Sequence, residues 1–255
     1  MNSLAGRHAL VTGGGRGIGA AIAKALAAEG ARVTLVARTA AQLEETSAAI
    51  PGGAVTIVAD VTDAEQVGRA LLEARAAVGE VQILVNNAGK PASRAIAKSD
   101  AQFWRDIMAV NLDSAYHLIR GVIPGMLAGE WGRVVNVAST AGLRGYAYCT
   151  AYCAAKHGVV GLTRALALEV AKTGVTVNAV CPGYTDTGAM REAVRNISEK
   201  TARSEADARE ALVSFNPQQR LVRPEEVANA VLWLCQPGSE SINGQSIAIA
   251  GGEVM

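Results

Sequence analysis

Mostly apolar runs of four to six residues punctuate this chain at 8–11, 32–37, 54–59, 81–85, 133–138, 175–180 and 245–250. Each is short and β-branched enough to predict a strand with both faces buried. Between them lie segments whose apolar residues recur at helical spacing, at 20–28, 40–50, 64–78, about 100–127, 151–172 and from Pro224 onward. Strands alternating with helices predict an α/β fold. The expected architecture is one doubly wound parallel sheet of about seven strands with helices on both faces. No linker, repeat or low-complexity tract divides residues 1–255, so one domain is expected. The segment 187–223 breaks the rhythm, being long, polar and charge-rich. It follows the sixth strand at the sheet edge where ligands of such folds bind, so it is expected to be a lid.

Composition narrows the function classes. The net charge is only +1, with both signs mixed along the chain, which gives no nucleic-acid footprint. The first seven residues carry no apolar leader, and no apolar run is long enough to span a bilayer, so a cytoplasmic protein without a membrane partner is expected. The four cysteines, Cys149, Cys153, Cys181 and Cys235, form no C-x-x-C pair. Cys149, Cys153 and His157 share a helical face but lack a fourth ligand, so no metal is expected.

Thr12-Gly13-Gly14-Gly15-Arg16-Gly17-Ile18-Gly19 stands between the first strand and the first helix. That context suits a dinucleotide-binding turn. Glycines let the backbone bend sharply and approach a pyrophosphate, and the helix N-terminus then offers free N–H groups to the anion.

Tyr152 and Lys156 lie four apart on a predicted helix and so share a face. A tyrosine pKa near 10 is high for acid–base work at neutral pH, and a neighbouring ammonium is expected to lower it. Ser139 follows the fifth strand, where its hydroxyl can meet a substrate oxygen.

With these motifs in this order, the chain resembles the short-chain dehydrogenase/reductase family essentially end to end, with the single-domain Rossmann-type fold. The turn from Thr12 and Gly13 to Gly17, Ile18 and Gly19 resembles the family's cofactor loop. Asp60-Val61 resembles its adenine-contacting pair, and Asn86-Asn87-Ala88-Gly89 its motif after the fourth strand. Asn111, Ser139, Tyr152 and Lys156 resemble its catalytic tetrad. Pro182-Gly183, with Thr185 and Thr187, resembles the loop that contacts the nicotinamide. The resemblance implies that Ser139 and Tyr152 hold a substrate carbonyl and that Tyr152 supplies the proton. It implies that Lys156 holds the cofactor ribose and that Asn111 holds a relay water. It also implies a homotetramer paired through the helices at 100–127 and 151–172, whose apolar circumference exceeds what one core can cover.

NAD binders commonly carry an acid at the end of the second strand. Here Val36-Ala37-Arg38 puts a cation there, and Arg16 supplies a second. Two guanidinium groups suit a 2′-phosphate, so NADPH or NADP is expected, with NAD the alternative. Segments 90–97, 140–148 and 184 to about 215 should line the substrate pocket. Their cations, Arg94, Arg144, Arg191, Arg195, Lys200 and Arg203, could meet the phosphates of a coenzyme A or acyl-carrier thioester, although acids intersperse them. The expected activity is reduction of a 3-oxoacyl thioester or related β-keto compound. Two other readings stand beside it. One is an NAD-dependent catabolic secondary-alcohol or 3-hydroxyacyl-CoA dehydrogenase, which Arg38 disfavours. The other is a dinucleotide-binding scaffold, which has no use for Ser139, Tyr152 and Lys156.

Overall fold

A computed structural model describes residues 2–201 and 204–255. Arg203 and the side chain of Lys200, both named above as pocket cations, lie outside that description. The seven expected strands are all present: β1 (His8–Thr12), β2 (Arg32–Ala37), β3 (Val55–Val58), β4 (Ile83–Asn86), β5 (Gly132–Val137), β6 (Val175–Pro182) and β7 (Ser246–Ile249). They form one sheet in the order β3-β2-β1-β4-β5-β6-β7, and every pairing is parallel.

The near-continuous apolar runs are explained by two cores, one on each face. Along β1, Ala9 and Val11 point into one core while Leu10 points into the other. The first core receives Ile22 and Leu26 from α1 (Gly17–Ala28) and Val227 and Val231 from α9 (Pro224–Cys235). The second receives Val67 and Leu71 from α3 (Ala64–Val78), Leu118 and Val122 from α5 (Ser114–Ala128) and Leu166 from α6 (Thr150–Glu169). A helix α2 (Ala40–Ala48) completes the first half of the sheet. Among the described residues no helix is long and apolar enough to cross a membrane.

Two elements depart from expectation. The predicted single helix at 100–127 is α4 (Ala101–Met108) joined to α5 by a π turn at Ala109–Asp113. Periodicity cannot register one wide turn inside a helix, and such turns gather at functional sites. The segment after β6 forms α7 (Gly188–Thr201) and α8 (Glu205–Val213). These two helices carry a small core of their own, in which Met190 and Val194 meet Ala208, Leu212 and Val213, with Tyr184 packed against it.

The sheet order reverses between β1 and β4. Loops leaving the carboxyl ends of those strands diverge to opposite sides and open a crevice there.

Candidate functional site

The glycine turn lies on one side of this crevice. Gly13 and Gly17 have φ of +63° and +55°, which L side chains rarely adopt. A side chain on Gly19 would collide with the Gly13 carbonyl, so helix and loop pack this closely only through glycine. The first turn of α1 contains no acid, and its N-cap residue, Arg16, makes no side-chain cap. The N–H groups there are thus left for an anion, as a bound pyrophosphate would require.

Thr12 and Asn87 tie that turn to the loop after β4. The Thr12 hydroxyl accepts the N–H groups of Asn87 (3.0 Å) and Ala88 (3.1 Å). The Asn87 amide donates back to the carbonyls of Thr12 (2.9 Å) and Gly13 (3.3 Å). The turn after β1 and the loop after β4 are therefore stitched together. Ile18 packs against the first core, while Val61 and Ala88 pack with the second. Thr187 closes the group, because a Cβ on Gly17 would stand 3.2 Å from the Thr187 methyl. Thr185 is buried and donates to the Gly183 carbonyl at 3.0 Å.

Arg38, expected to face a phosphate, forms an ion pair with Asp60, expected to meet adenine, at 3.6 Å. Burial pushes the Asp60 carboxyl pKa up, but hydrogen bonds from Thr62 and the nearby Arg38 charge outweigh it and hold the group below its ordinary value. The Arg38 side chain is 76% exposed, so the pair is easily exchanged for another anion. Arg16 is the N-cap residue of α1, and Arg38 directly follows β2.

On the other side of the crevice, Ser139 follows β5 and opens a short 3₁₀ turn at Thr140–Gly142; its Oγ accepts the Ala141 N–H at 3.1 Å. Tyr152, in the first turn of α6, has the Ser139 hydroxyl near enough to favour its ionised form. Lys156, one turn further, is 4% exposed and donates from Nζ to the Val137 carbonyl at 2.9 Å. Its ammonium stands 5.8 Å from the Tyr152 ring centre.

The expected sign of the tyrosine shift is reversed. Burial pushes the Tyr152 pKa up to about 12, against the pull of the Ser139 hydroxyl, and Cys149 and Cys153 add to the rise. Lys156 is itself pulled down to about 8 by burial. At this separation desolvation outweighs the attraction of the ammonium for a phenolate.

Asn111 sits in the π turn and is 2% exposed. Its Nδ2 donates to the carbonyls of Lys90 (3.1 Å) and Ile107 (3.0 Å), and its Oδ1 accepts the Lys90 N–H at 3.0 Å. A Cβ on Gly89 would lie 2.9 Å from Asn111 Oδ1 and 3.5 Å from Lys156 Nζ. Gly89, Asn111 and Lys156 thus converge, and Gly89 is the residue that lets them.

The segments at 140–148 and 184–215, expected to line the pocket, meet in one aromatic cluster, joined by a chain end that sequence reasoning did not single out. Tyr184 and Tyr146 both pack on Phe215, with ring centres 5.5 Å and 6.0 Å apart. Tyr146 also hydrogen-bonds Glu253, near the chain end. The paired glycines Gly251 and Gly252, both with positive φ, were the available signal that the chain turns back there. Among the described residues no group of three or more His, Cys, Asp or Glu could hold a metal.

Comparison with known proteins agrees with this geometry. A family model described as short chain dehydrogenase matches residues 7–198. A protein of Streptomyces violaceoruber assigned as a granaticin polyketide synthase ketoacyl reductase is 39% identical over 249 residues, covering 96% of this chain and 92% of the relative. A D-beta-hydroxybutyrate dehydrogenase of Cupriavidus necator is 38% identical over 255 residues, covering 98% and 99%. A crystal structure of a variant actinorhodin polyketide ketoreductase with NADPH superimposes with a TM-score of 0.93, at 37% identity over 97% of both chains.

Proposed function

The chain belongs to the short-chain dehydrogenase/reductase family and uses a nicotinamide cofactor, and from that premise we propose that it is an NADPH-dependent ketoreductase acting on 3-oxoacyl thioesters or related β-keto compounds. The observation that carries this reading is the convergence of Tyr152 and Lys156, one helical turn apart on α6, with Asn111 and with Gly89, which stands on the loop that Thr12 ties to the glycine turn. The relatives add a common chemical class. A ketoacyl reductase and a 3-hydroxybutyrate dehydrogenase both interconvert a 3-oxo and a 3-hydroxy group.

In this reading the turn at Gly13–Gly19 holds the pyrophosphate, Asp60 and Val61 flank the adenine, and Arg16 and Arg38 take the 2′-phosphate. Thr12 and Asn87 position that turn. Gly89, Tyr152 and Lys156 border the ribose, and the loop from Pro182 and Gly183 through Thr185 to Thr187 borders the nicotinamide. A nicotinamide bound there supplies the hydride. Ser139 and Tyr152 hydroxyls together hold the substrate oxygen. As charge develops on that oxygen, the Tyr152 O–H gives up its proton. A tyrosine with its pKa raised to about 12 is fully protonated at neutral pH and stands ready as the donor, which suits reduction. Oxidation would need the phenolate, and so a higher pH. Asn111 fixes the Lys90 backbone beside Lys156 and borders the route by which that lysine exchanges protons.

The whole chain serves as one dinucleotide-binding and catalytic domain, with 187–223 as the substrate lid. The lid's own core and the contact of Thr187 with the glycine turn support a body that moves as a unit over the crevice. Four unpaired cysteines suit a reducing compartment, the cytoplasm. A homotetramer is supported by apolar residues left uncovered on the helices expected to pair: Trp104 and Tyr116 are 43% and 49% exposed, and Leu168 is 81% exposed.

Four outcomes follow for measurement. Acetoacetyl thioesters, assayed with NADPH, should be reduced at least about tenfold more efficiently than unactivated cyclic ketones; equal efficiencies would point to a general alcohol dehydrogenase. Tyr152→Phe should lose on the order of a hundredfold or more in kcat, the usual worth of a general acid. Its NADPH affinity, followed by fluorescence titration, should be little changed; near-normal turnover would remove Tyr152 from its role. Arg38→Asp should shift the NADPH-to-NADH ratio of kcat/KM toward NADH, since it deletes a phosphate partner and installs a repulsive charge; an unchanged ratio would place the phosphate elsewhere. Sedimentation across a range of concentrations should return four chains per particle, and a persistent monomer would contradict the uncovered helix faces.

A further inference from the structure

We propose that Glu253 makes the substrate pocket selective against anions, so that it accepts neutral 3-oxo compounds and turns away free 3-oxo acids. The inference rests on the reading of this site as a carbonyl-reducing one and concerns which carbonyl compounds it admits.

The chain leaves β7, turns at Gly251 and Gly252 with φ of +61° and +95°, and brings Glu253 against the end of β6. Its Oε1 takes the hydroxyl of Tyr146, which also bonds Thr140 Oγ1 at 2.8 Å. Its Oε2 is buried without a hydrogen-bond partner and packs beside Gly183, where a Cβ would lie 2.8 Å away. The residue after Gly183 is Tyr184, which lies near enough to Glu253 and Tyr152 that a negative charge on either raises its phenol pKa. The rings of Tyr146, Phe215 and Tyr184 form one continuous wall, with the carboxylate bonded at its Tyr146 end and Tyr184 within electrostatic reach of both Glu253 and Tyr152.

The nearest cation does not neutralise it. The Arg144 guanidinium lies 5.0 Å over the Tyr146 ring on the exposed side, and its Nη1 reaches the main-chain oxygen of Glu253 at 3.5 Å, not the carboxylate. Among the described residues no lysine or arginine forms an ion pair with the Glu253 carboxylate. Burial raises its pKa, while the Tyr146 hydrogen bond and Arg144 oppose the rise.

A 3-oxo acid bound with its ketone at Tyr152 carries its carboxylate one methylene from the reacting carbon. That second negative charge must enter the space in front of the wall. Half-buried like charges are weakly screened, so the repulsion falls on anionic substrates and spares neutral ones. Thioesters and esters have the same 3-oxo group without the charge.

The test compares acetoacetate with ethyl acetoacetate at pH 8, which differ at this position chiefly in charge. Glu253→Gln keeps an oxygen for the Tyr146 hydroxyl and removes the charge. It should raise the acetoacetate-to-ester ratio of kcat/KM by roughly tenfold, the scale expected for one weakly screened like charge. Tyr146→Phe removes the hydrogen bond and leaves the charge, so it should move both substrates together and keep the ratio. A ratio unchanged in Glu253→Gln, or raised equally in Tyr146→Phe, would overturn the inference while leaving ketone reduction standing. Failure of the unaltered protein to reduce either compound would overturn the functional reading, and this inference with it.

Discussion

The burial of one ammonium group organises the site. Lys156 is almost wholly removed from water, and an isolated buried charge is costly unless polar groups receive it. The carbonyl of Val137, the last residue of β5, receives it directly. The loop after β4 must then pass close by with no side chain, which Gly89 allows, and the Asn111 amide must fill the remaining polar space. The π turn serves that end. An ordinary helix through Ala109–Asp113 would swing Asn111 away from the Lys90 backbone it now bonds twice. Burial also pulls the lysine pKa down to about 8, so its charge state at neutral pH is held only by modest margin.

The same desolvation explains why the tyrosine behaves otherwise than its spacing suggests. Four-residue spacing places Tyr152 and Lys156 on one face, and spacing alone argues for a lowered phenol pKa. Spacing carries no information about burial. The half-buried ring packs with Ile107, Ala151 and Ala155, beside two cysteines, and that surrounding dominates. In the proposed reaction this is no defect. A site that must protonate an alkoxide gains from a donor that holds its proton until charge appears on the substrate.

The inner strands were legible because they are buried on both faces, leaving continuous apolar runs that differ from any surface element. The glycine turn was legible because backbone geometry demands glycine there, and the demand is written residue by residue. What was not legible depends on contacts between distant parts of the chain. The pairing of Arg38 with Asp60 joins the ends of two strands whose neighbourhood the sequence does not state. Thr12 and Asn87 fit a pattern of cofactor contacts, yet their hydrogen bonds run to one another's loops. Glu253 lies more than a hundred residues from Tyr146, and no local pattern distinguishes a tail carboxylate that folds inward from one that stays in water.

These differences divide the site by origin. The groups proposed to act on the cofactor and the reacting carbonyl hang from strand ends and the early turns of helices, which a parallel sheet places together by topology alone. They need only the fold, and so local patterns reveal them. The groups proposed to border the rest of the substrate come from the 3₁₀ turn after β5, the segment after β6 and the chain end, which converge by packing of Tyr146, Tyr184 and Phe215. The two sets meet at Gly183 and Tyr184, where the end of β6 leads into the segment that forms α7 and α8. A change at the chain end can therefore alter which carbonyl compound is admitted without disturbing the geometry of Ser139, Tyr152 and Lys156. Relatives sharing more than a third of their residues with this chain bear names that differ in substrate but agree in keto/hydroxy chemistry. That is the pattern expected when the chemistry is fixed by the sheet and the selection by what is packed against its edge.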